Sequence, residues 1–228
     1  MARPEVLLTN DDGPPSSMLI EQGCPHVRYW YYYPIKDNFR GTHPDTDKCW
    51  SDTRRPIHKE RGEIGEWILV DGTPSTCTNI GLFTSAEILD MPNAAPISLV
   101  LSGPNYGRNT GNAFSLSSGT LGAALAGATS GVRGIAMSYG HFQKDPPTPA
   151  HSASGAPLSA SRSAEIARIA TFYCTQIIKQ LWDAWSKDVC VSAYSINVPL
   201  AETLLDPTVV WTRVWPSQLN KVRMQHDS

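Results

Sequence analysis

The sequence lacks a surplus of basic residues, a long apolar segment and any paired cysteine motif. Its 19 Lys and Arg against 21 Asp and Glu give a net charge of −2, which disfavours a nucleic-acid polymer as a partner. The longest apolar runs have only strand length and the first residues contain no apolar signal-peptide core, so we expect a soluble, cytoplasmic protein without a membrane contact. The five cysteines contain no C-x-x-C pair, which favours reduced thiols over disulfides or a zinc site.

Charged residues are also scarce, at 18%, whereas 17 Gly and 18 Pro predict abundant loops. The 228 residues suit a single domain over 1–228. Two stretches are atypical. Residues 15–66 are aromatic and charged without a clear period, and we find in them no convincing helix or second strand. Residues 141–160 are rich in Pro, Ala and Ser and predict a surface loop.

Four short apolar runs, each ending in turn-forming residues, predict strands. They are Glu5–Thr9, Trp67–Val70, Ile97–Leu101 and Gly134–Ser138. Nearly continuous apolar runs of this kind are typical of strands that are buried on both faces of a parallel sheet. We therefore assign all four to such a sheet.

Three helices are predicted between or after these strands. The first covers Pro74–Leu82, with Thr73 as N-cap and Pro at the first helical position. The second is opened by Ser118 or Gly119 and contains small residues that allow close packing on a sheet. The third covers Ser163–Trp185 and carries one apolar stripe at helical spacing. Because strands and helices alternate, we predict an α/β fold with a mostly parallel sheet.

Polar side chains follow two of the predicted strands. Asn10, Asp11 and Asp12 come directly after the first strand, and Asn105 follows the strand Ile97–Leu101. In open α/β sheets, ligands bind where loops leave the carboxyl ends of the strands. Two carboxylates and a carboxamide oxygen are donors that Mg²⁺, Mn²⁺ or Ca²⁺ prefers, and such an ion would offset the repulsion between Asp11 and Asp12. The pattern predicts a divalent-metal site.

A second feature predicts an anion site. The stretch Ser117–Thr120 lies at the start of a predicted helix, where backbone N–H groups and the helix dipole favour negative charge. The hydroxyls of Ser118 and Thr120 add hydrogen-bond donors. A cation site and an anion site that face one crevice suggest a phosphate ester held against a metal and hydrolysed by water.

These residues resemble the SurE survival-protein family of nucleotidases and phosphatases. The sequences of the motifs are similar to those of its fungal acid-phosphatase branch. The likeness is carried by LLTNDDG at 7–13, LVDGTPSTC at 69–77, LVLSGPNYGRNTG at 99–111 with SSGTLGAALAG at 117–127, and SINVP at 195–199. The resemblance implies a Rossmann-like three-layer fold and a hydrolase of nucleoside monophosphates or related phosphate esters. It further implies one Mg²⁺ or Mn²⁺ per subunit and a homodimer or homotetramer.

The resemblance also implies roles for individual residues. The metal ligands would be Asp11, Asp12 and Asn105, and either Asp11 or Asp12 would also act in catalysis by orienting the attacking water. The phosphate would be bound by Ser118, Gly119 and Thr120. The loops around the site would be ordered by Asn10, Gly103 and Asn109.

The sequence departs from the family pattern after its first motif. Family members carry there a helix, a second strand and a Ser that completes the metal shell, but the spacing before the aromatic run at Tyr29 is too short for them. We therefore expect this helix, strand and Ser ligand to be missing. The alternative to an active enzyme is an impaired or inactive homologue, either a nucleotide- or partner-binding remnant or a truncated gene product.

Three other patterns carry a weaker prediction. Cys49 and Arg55 have the spacing of a cysteine phosphatase, but bulky Trp50 and acidic Asp52 between them oppose a phosphate-binding loop. The six histidines lack the spacing of metal ligands. The aromatic run 29–33 is expected to serve in packing or in an oligomer contact rather than in base stacking, since no basic groove surrounds it.

Overall fold

The computed structural model describes residues 5–10, 29–34, 50–91, 93–140, 158–185 and 191–213. Its main sheet has four strands in the order β1-β5-β6-β7, and every neighbouring pair is parallel. The strands are β1 (Val6–Thr9), β5 (Leu99–Tyr106), β6 (Arg133–Gly140) and β7 (Ala193–Pro199). The predicted α/β fold with a mostly parallel sheet is confirmed.

The helices are α1 (Pro74–Phe83), α2 (Ser85–Ile88), α3 (Asn112–Ser117), α4 (Gly119–Thr129) and α5 (Ala160–Ala184), with 3₁₀ turns at Lys59–Arg61 and Glu202–Leu205. The three predicted helices are present as α1, α4 and α5, whereas α2 and α3 were not predicted. Thr73 caps α1 and Ser118 caps α4, each by accepting a hydrogen bond from a backbone N–H of the first turn. Helix α5 begins before the predicted Ser163, because Ser159 caps it in the same way.

The main sheet lies between two helical layers. On one face, a Cβ atom added to Gly127 in α4 would touch Val100 of β5, and one added to Gly81 in α1 would touch Leu7 of β1. Both helices therefore pack closely on this face. On the other face, Ile166, Ala170 and Cys174 of α5 pack with Leu99, Ile135 and further strand residues in the largest cluster of buried residues. Successive strand residues point to opposite faces, so each buried strand supplies both layers. This arrangement is the predicted three-layer fold.

The strand Trp67–Val70 is predicted at the correct residues, but its assignment to the parallel sheet is wrong. As β4 it pairs antiparallel with β2 (Tyr29–Tyr32), which also pairs antiparallel with β3 (Trp50–Ser51), in a separate three-stranded sheet. Residues 15–66, in which the sequence shows no convincing strand, thus contain β2 and β3 in their described part. Tyr32 and Tyr33 are buried, so this part of the aromatic run serves in packing.

A buried ion pair holds the loop that leads into β4. Arg55 binds both carboxylate oxygens of Glu63, at 2.6 and 2.9 Å, and lies 3.8 Å above the ring centre of Tyr33. The backbone N–H of His58 also donates to Glu63. Arg55 is thus engaged in structure, which agrees with the rejection of the cysteine-phosphatase pattern.

Strand β1 lies at the edge of the main sheet in the part of the chain that the structure describes. Its side chains alternate. Leu7 faces α1, where a Cβ atom added to Gly81 would touch it. Val6 and Leu8 on the opposite face are 43% and 48% exposed. The helix and strand predicted to be missing after β1 would fall in residues 11–28, outside the described residues.

Candidate functional site at the carboxyl ends of the strands

Three polar side chains form one row across the carboxyl end of the main sheet. Asn105 of β5 is the register partner of Ser138 of β6, and Ser138 is the register partner of Asn197 of β7. Partners in a sheet point to the same face. Ser138 lies two residues beyond Ala136, which packs against Leu121 in α4. The row therefore faces the layer that contains α4.

The carboxamide of Asn105 has a defined orientation. Its Nδ2 donates to the carbonyl oxygen of Gly107 at 3.1 Å. Oδ1 makes no hydrogen bond within the described residues. Because the amide nitrogen is committed, the oxygen is the atom that remains for a cation or a water molecule.

Gly103 shapes the chain just before Asn105. Its φ is +107°, and a Cβ there would lie 2.3 Å from the carbonyl oxygen of Met137. The register between β5 and β6 shifts between Ser102 and Asn105. Only glycine suits this conformation and this close approach, so Gly103 permits the irregularity that precedes Asn105.

The loop after β5 is fastened to the row by Asn109. Its backbone N–H donates to Oδ1 of Asn197 at 2.9 Å, and its Nδ2 donates to Oγ of Ser138 at 2.8 Å. The backbone N–H of Gly107 also donates to the carbonyl oxygen of Tyr139 at 2.9 Å. Asn109 and Ser138 are both buried, so these bonds are shielded from competing water.

The N-terminus of α4 lies at the same end of the sheet, because a helix that connects two parallel strands runs antiparallel to them. Oγ of Ser118 accepts from the backbone N–H of Leu121 at 3.2 Å, and its carbonyl oxygen accepts from Gly122 at 2.9 Å. The hydroxyl hydrogen of Ser118 can still be donated. Thr120 is buried, whereas Ser118 and Gly119 are half-buried.

The end of β1 brings a third segment to this edge. Thr9 is the register partner of Ser102, so β1 ends beside the part of β5 that precedes the register shift and Asn105. Asn10 is described and half-buried. Asp11 and Asp12, the predicted catalytic residues and metal ligands, lie outside the described residues. No group of three His, Cys, Asp or Glu that could hold a metal occurs within the described ranges, which do not include these two aspartates.

The chemistry of the described donors suits a divalent cation. The Oδ1 of Asn105 is a neutral oxygen donor at the edge where the chain continues from Asn10 to Asp11 and Asp12. Oxygen donors of this kind are those that Mg²⁺ and Mn²⁺ prefer.

Two residues of this site were not singled out by sequence reasoning. Ser138 and Asn197 hold the loop through Asn109, yet neither was given a role. A signal for Asn197 was present, because it belongs to the stretch SINVP at 195–199 that carries part of the family resemblance. Nothing local identifies its hydrogen-bond partner, which lies 88 residues earlier in the chain.

The described helices contain none that is both long and apolar enough to cross a membrane.

The chain is similar to several known proteins. It is 36% identical over 155 residues to the "Probable tubulin--tyrosine ligase PBY1" of Saccharomyces cerevisiae, a match that covers 67% of this chain and 18% of that protein. It is 26% identical over 205 residues to the "5'-nucleotidase SurE" of Carboxydothermus hydrogenoformans, covering 86% of this chain and 66% of the relative. For the "5'/3'-nucleotidase SurE" of Proteus mirabilis, the identity is 31% over 134 residues, covering 59% and 48%.

A solved structure also matches. The crystal structure of the SurE protein from Aquifex aeolicus aligns with a TM-score of 0.45 and 21% identity, over 86% of this chain and 66% of that one. The chain spans between 18% and 66% of the lengths of these relatives. The family model described as "Survival protein SurE" matches residues 6–221. Because this match includes nearly the whole chain, the protein belongs to the SurE survival-protein family.

Proposed function

We propose that the chain is a phosphatase that hydrolyses nucleoside monophosphates or related phosphate monoesters with one divalent ion, Mg²⁺ or Mn²⁺, per subunit. The observation that carries the proposal is the position of Asn105. Its Oδ1 has no hydrogen bond within the described residues, on the face of the sheet where α4 begins. The names of the nucleotidase relatives support the same reaction class.

Each group has a separate task in the proposed reaction. Asn105, Asp11 and Asp12 would hold the ion, and one of the two aspartates would orient the attacking water. Ser118, Gly119 and Thr120 would bind the phosphoryl oxygens at the start of α4, where helix N–H groups favour an anion. When bound, the divalent ion supplies positive charge that polarises the phosphoryl group and promotes deprotonation of the attacking water.

The second candidate is a folded homologue with little or no activity. It is favoured by β1, which lies at the sheet edge among the described strands with Val6 and Leu8 exposed, as expected if a covering segment near the site is missing. Without the family's Ser ligand, water would complete the metal shell and the ion would bind less tightly. The two candidates differ in whether the purified chain turns over substrate.

The proposal is tested with p-nitrophenyl phosphate and a panel of nucleoside 5′- and 3′-monophosphates, assayed with Mn²⁺ or Mg²⁺. We expect turnover that EDTA abolishes and added Mn²⁺ restores. Asp11→Asn and Asn105→Ala should each lower kcat/KM by at least about tenfold, the loss expected when a directly interacting site group is removed.

The control replaces an exposed asparagine on α1, Asn79→Ala, which should leave kcat/KM unchanged. A folded wild-type chain with no turnover under any of these conditions would support the inactive homologue. Turnover that survives EDTA and Asn105→Ala would exclude the proposed metal site.

A further inference from the structure

We propose that Asn197 is a positioning residue for the ion site, acting on Asn105 through the loop that Asn109 fastens. This inference rests on the proposed function, because it concerns the affinity of the same site for a divalent ion. Within the described residues, the side chain of Asn197 is hydrogen-bonded to Asn109 and Ser195, and not to Asn105 or to the start of α4. It acts by holding the backbone to which the Asn105 carboxamide is bonded.

The first step is the orientation of Asn197 itself. Its Nδ2 donates to Oγ of Ser195 at 3.1 Å, on the same strand two residues earlier. Because the nitrogen is committed to Ser195, Oδ1 is directed to another donor, the backbone N–H of Asn109 at 2.9 Å. Ser195 is exposed and Asn197 is half-buried. Because both side chains are neutral, their hydrogen bond forms without burying a charged group.

The second step transmits this orientation to the loop. Both the backbone and the side chain of Asn109 are restrained. Its backbone N–H donates to Asn197, and its Nδ2 donates to Ser138. Two residues earlier, the Gly107 N–H is bound to the carbonyl oxygen of Tyr139. These bonds fix the loop at two points, on β6 and on β7, on either side of Arg108.

The third step reaches the ligand. The carbonyl oxygen of Gly107 accepts a hydrogen bond from Nδ2 of Asn105 at 3.1 Å. The direction of this carbonyl therefore determines the rotation of the Asn105 carboxamide, and with it the direction of Oδ1. Loss of the Asn197 bond would release the Asn109 backbone, widen the range of Gly107 positions and leave Oδ1 less well directed. Groups that orient metal ligands typically change metal affinity by about 10- to 100-fold when removed.

The test measures Mn²⁺ binding in the absence of substrate, by calorimetry and by the loss of the free Mn²⁺ signal in electron paramagnetic resonance. We expect Asn197→Ala to raise the Mn²⁺ Kd by about tenfold. In an Asn105→Ala background, the same change should add less than about twofold, because both residues act on one ligand oxygen.

Two further variants separate positioning from a general loss of stability. Thr171→Val removes a 2.9 Å hydrogen bond to Tyr139 on the opposite face of the sheet and should lower stability without changing the Mn²⁺ Kd. Ser195→Ala leaves Asn197 in place but removes its orienting partner, and should raise the Kd in the same direction as Asn197→Ala. It also serves as the test if Asn197→Ala does not fold.

A wild-type Kd in Asn197→Ala, or in Ser195→Ala if Asn197→Ala does not fold, would overturn the positioning role while leaving the proposed function intact. Additive effects of Asn197→Ala and Asn105→Ala would overturn it too. A folded wild-type chain that neither binds Mn²⁺ nor hydrolyses phosphate esters would overturn both the proposed function and this inference.

Discussion

A Cβ atom added to Gly134 would lie 2.3 Å from the carbonyl oxygen of Ala124. Gly134 belongs to β6 and Ala124 to α4, so the missing side chain sets how closely this helix approaches the sheet. Since the contacted atom belongs to the helix backbone, it cannot move aside alone. We predict that Gly134→Ala lowers the free energy of unfolding by about 1–3 kcal/mol, the usual cost of overpacking, as measured by urea denaturation.

Gly65 provides the matched control for this change. A Cβ there would meet nothing within 4 Å, so Gly65→Ala should change the free energy of unfolding by no more than about 0.5 kcal/mol. Equal denaturation midpoints for the two variants would show that the packing of α4 on the sheet does not require a glycine at position 134.

The ion pair between Arg55 and Glu63 predicts a stability that depends on pH. The Glu63 side chain is only 3% exposed, and its hydrogen bonds from Arg55, followed by the one from the backbone of His58, lower its pKa. At pH 7, Glu63→Gln should lower the free energy of unfolding by about 3 kcal/mol, because it leaves Arg55 without its anionic partner.

The direction of the pH effect follows from the lowered pKa. The stabilisation is complete above the unfolded-state pKa of Glu, about 4.3, and is lost as the pH falls through the lower folded-state pKa. The stability difference between wild type and Glu63→Gln should therefore shrink on acidification, which urea denaturation at several pH values would measure. Glu60→Gln, whose carboxylate is exposed beside His58, should show a much smaller effect, because solvent screens an exposed charge pair. A difference that persists unchanged to the lowest pH would contradict the assignment.

The parts of the fold that were predicted correctly are those fixed by neighbouring residues. The caps of α1 and α4 each involve residues within four positions of the chain, starting at Thr73 and at Ser118. Both caps are observed. Strand Trp67–Val70 was located correctly for the same reason. Its partner was not, since an apolar run records that a strand is buried without recording which strand pairs with it.

The site was predictable to a similar extent. Asn105 was singled out as following the strand Ile97–Leu101, but β5 runs on to Tyr106 and contains it. Ser118 was singled out as a helix cap, and the structure brings both residues to the same face of one sheet. Their roles in binding stay predictions. The bond between Asn109 and Asn197 joins residues 88 positions apart, a relationship that a single sequence does not contain. The roles of Asp11 and Asp12 stay predictions, because both lie outside the described residues.

The buried thiol of Cys174 predicts low reactivity. Burial between α5 and the main sheet raises its pKa to about 11, whereas an ordinary cysteine has a pKa of about 8.5. At pH 8 we therefore expect Cys174 to remain unmodified by iodoacetamide in the native protein and to react after unfolding in urea. Half-buried Cys77 should react sooner, as peptide mass spectrometry would measure. Equal rates for the two thiols in the native protein would contradict the burial of Cys174.

The N-cap of α4 allows a structural role to be separated from phosphate binding, because α5 carries a cap of the same chemistry and packs on the opposite face of the main sheet. Oγ of Ser118 accepts from Leu121 N at 3.2 Å, and Oγ of Ser159 accepts from Arg162 N at 3.3 Å. Replacing either serine by alanine should lower the free energy of unfolding by about 1 kcal/mol, the usual worth of a cap.

Their effects on catalysis should differ. If Ser118 also donates its hydroxyl hydrogen to the substrate phosphate, Ser118→Ala loses a hydrogen bond to a charged group, worth about 1.5–3 kcal/mol. Since about 1.4 kcal/mol is a factor of ten in rate, kcat/KM for p-nitrophenyl phosphate should fall by at least about tenfold. Ser159→Ala should keep the wild-type kcat/KM in the same assay. Two variants that are equally destabilised and equally active would mean that Ser118 caps the helix and does not bind the phosphate.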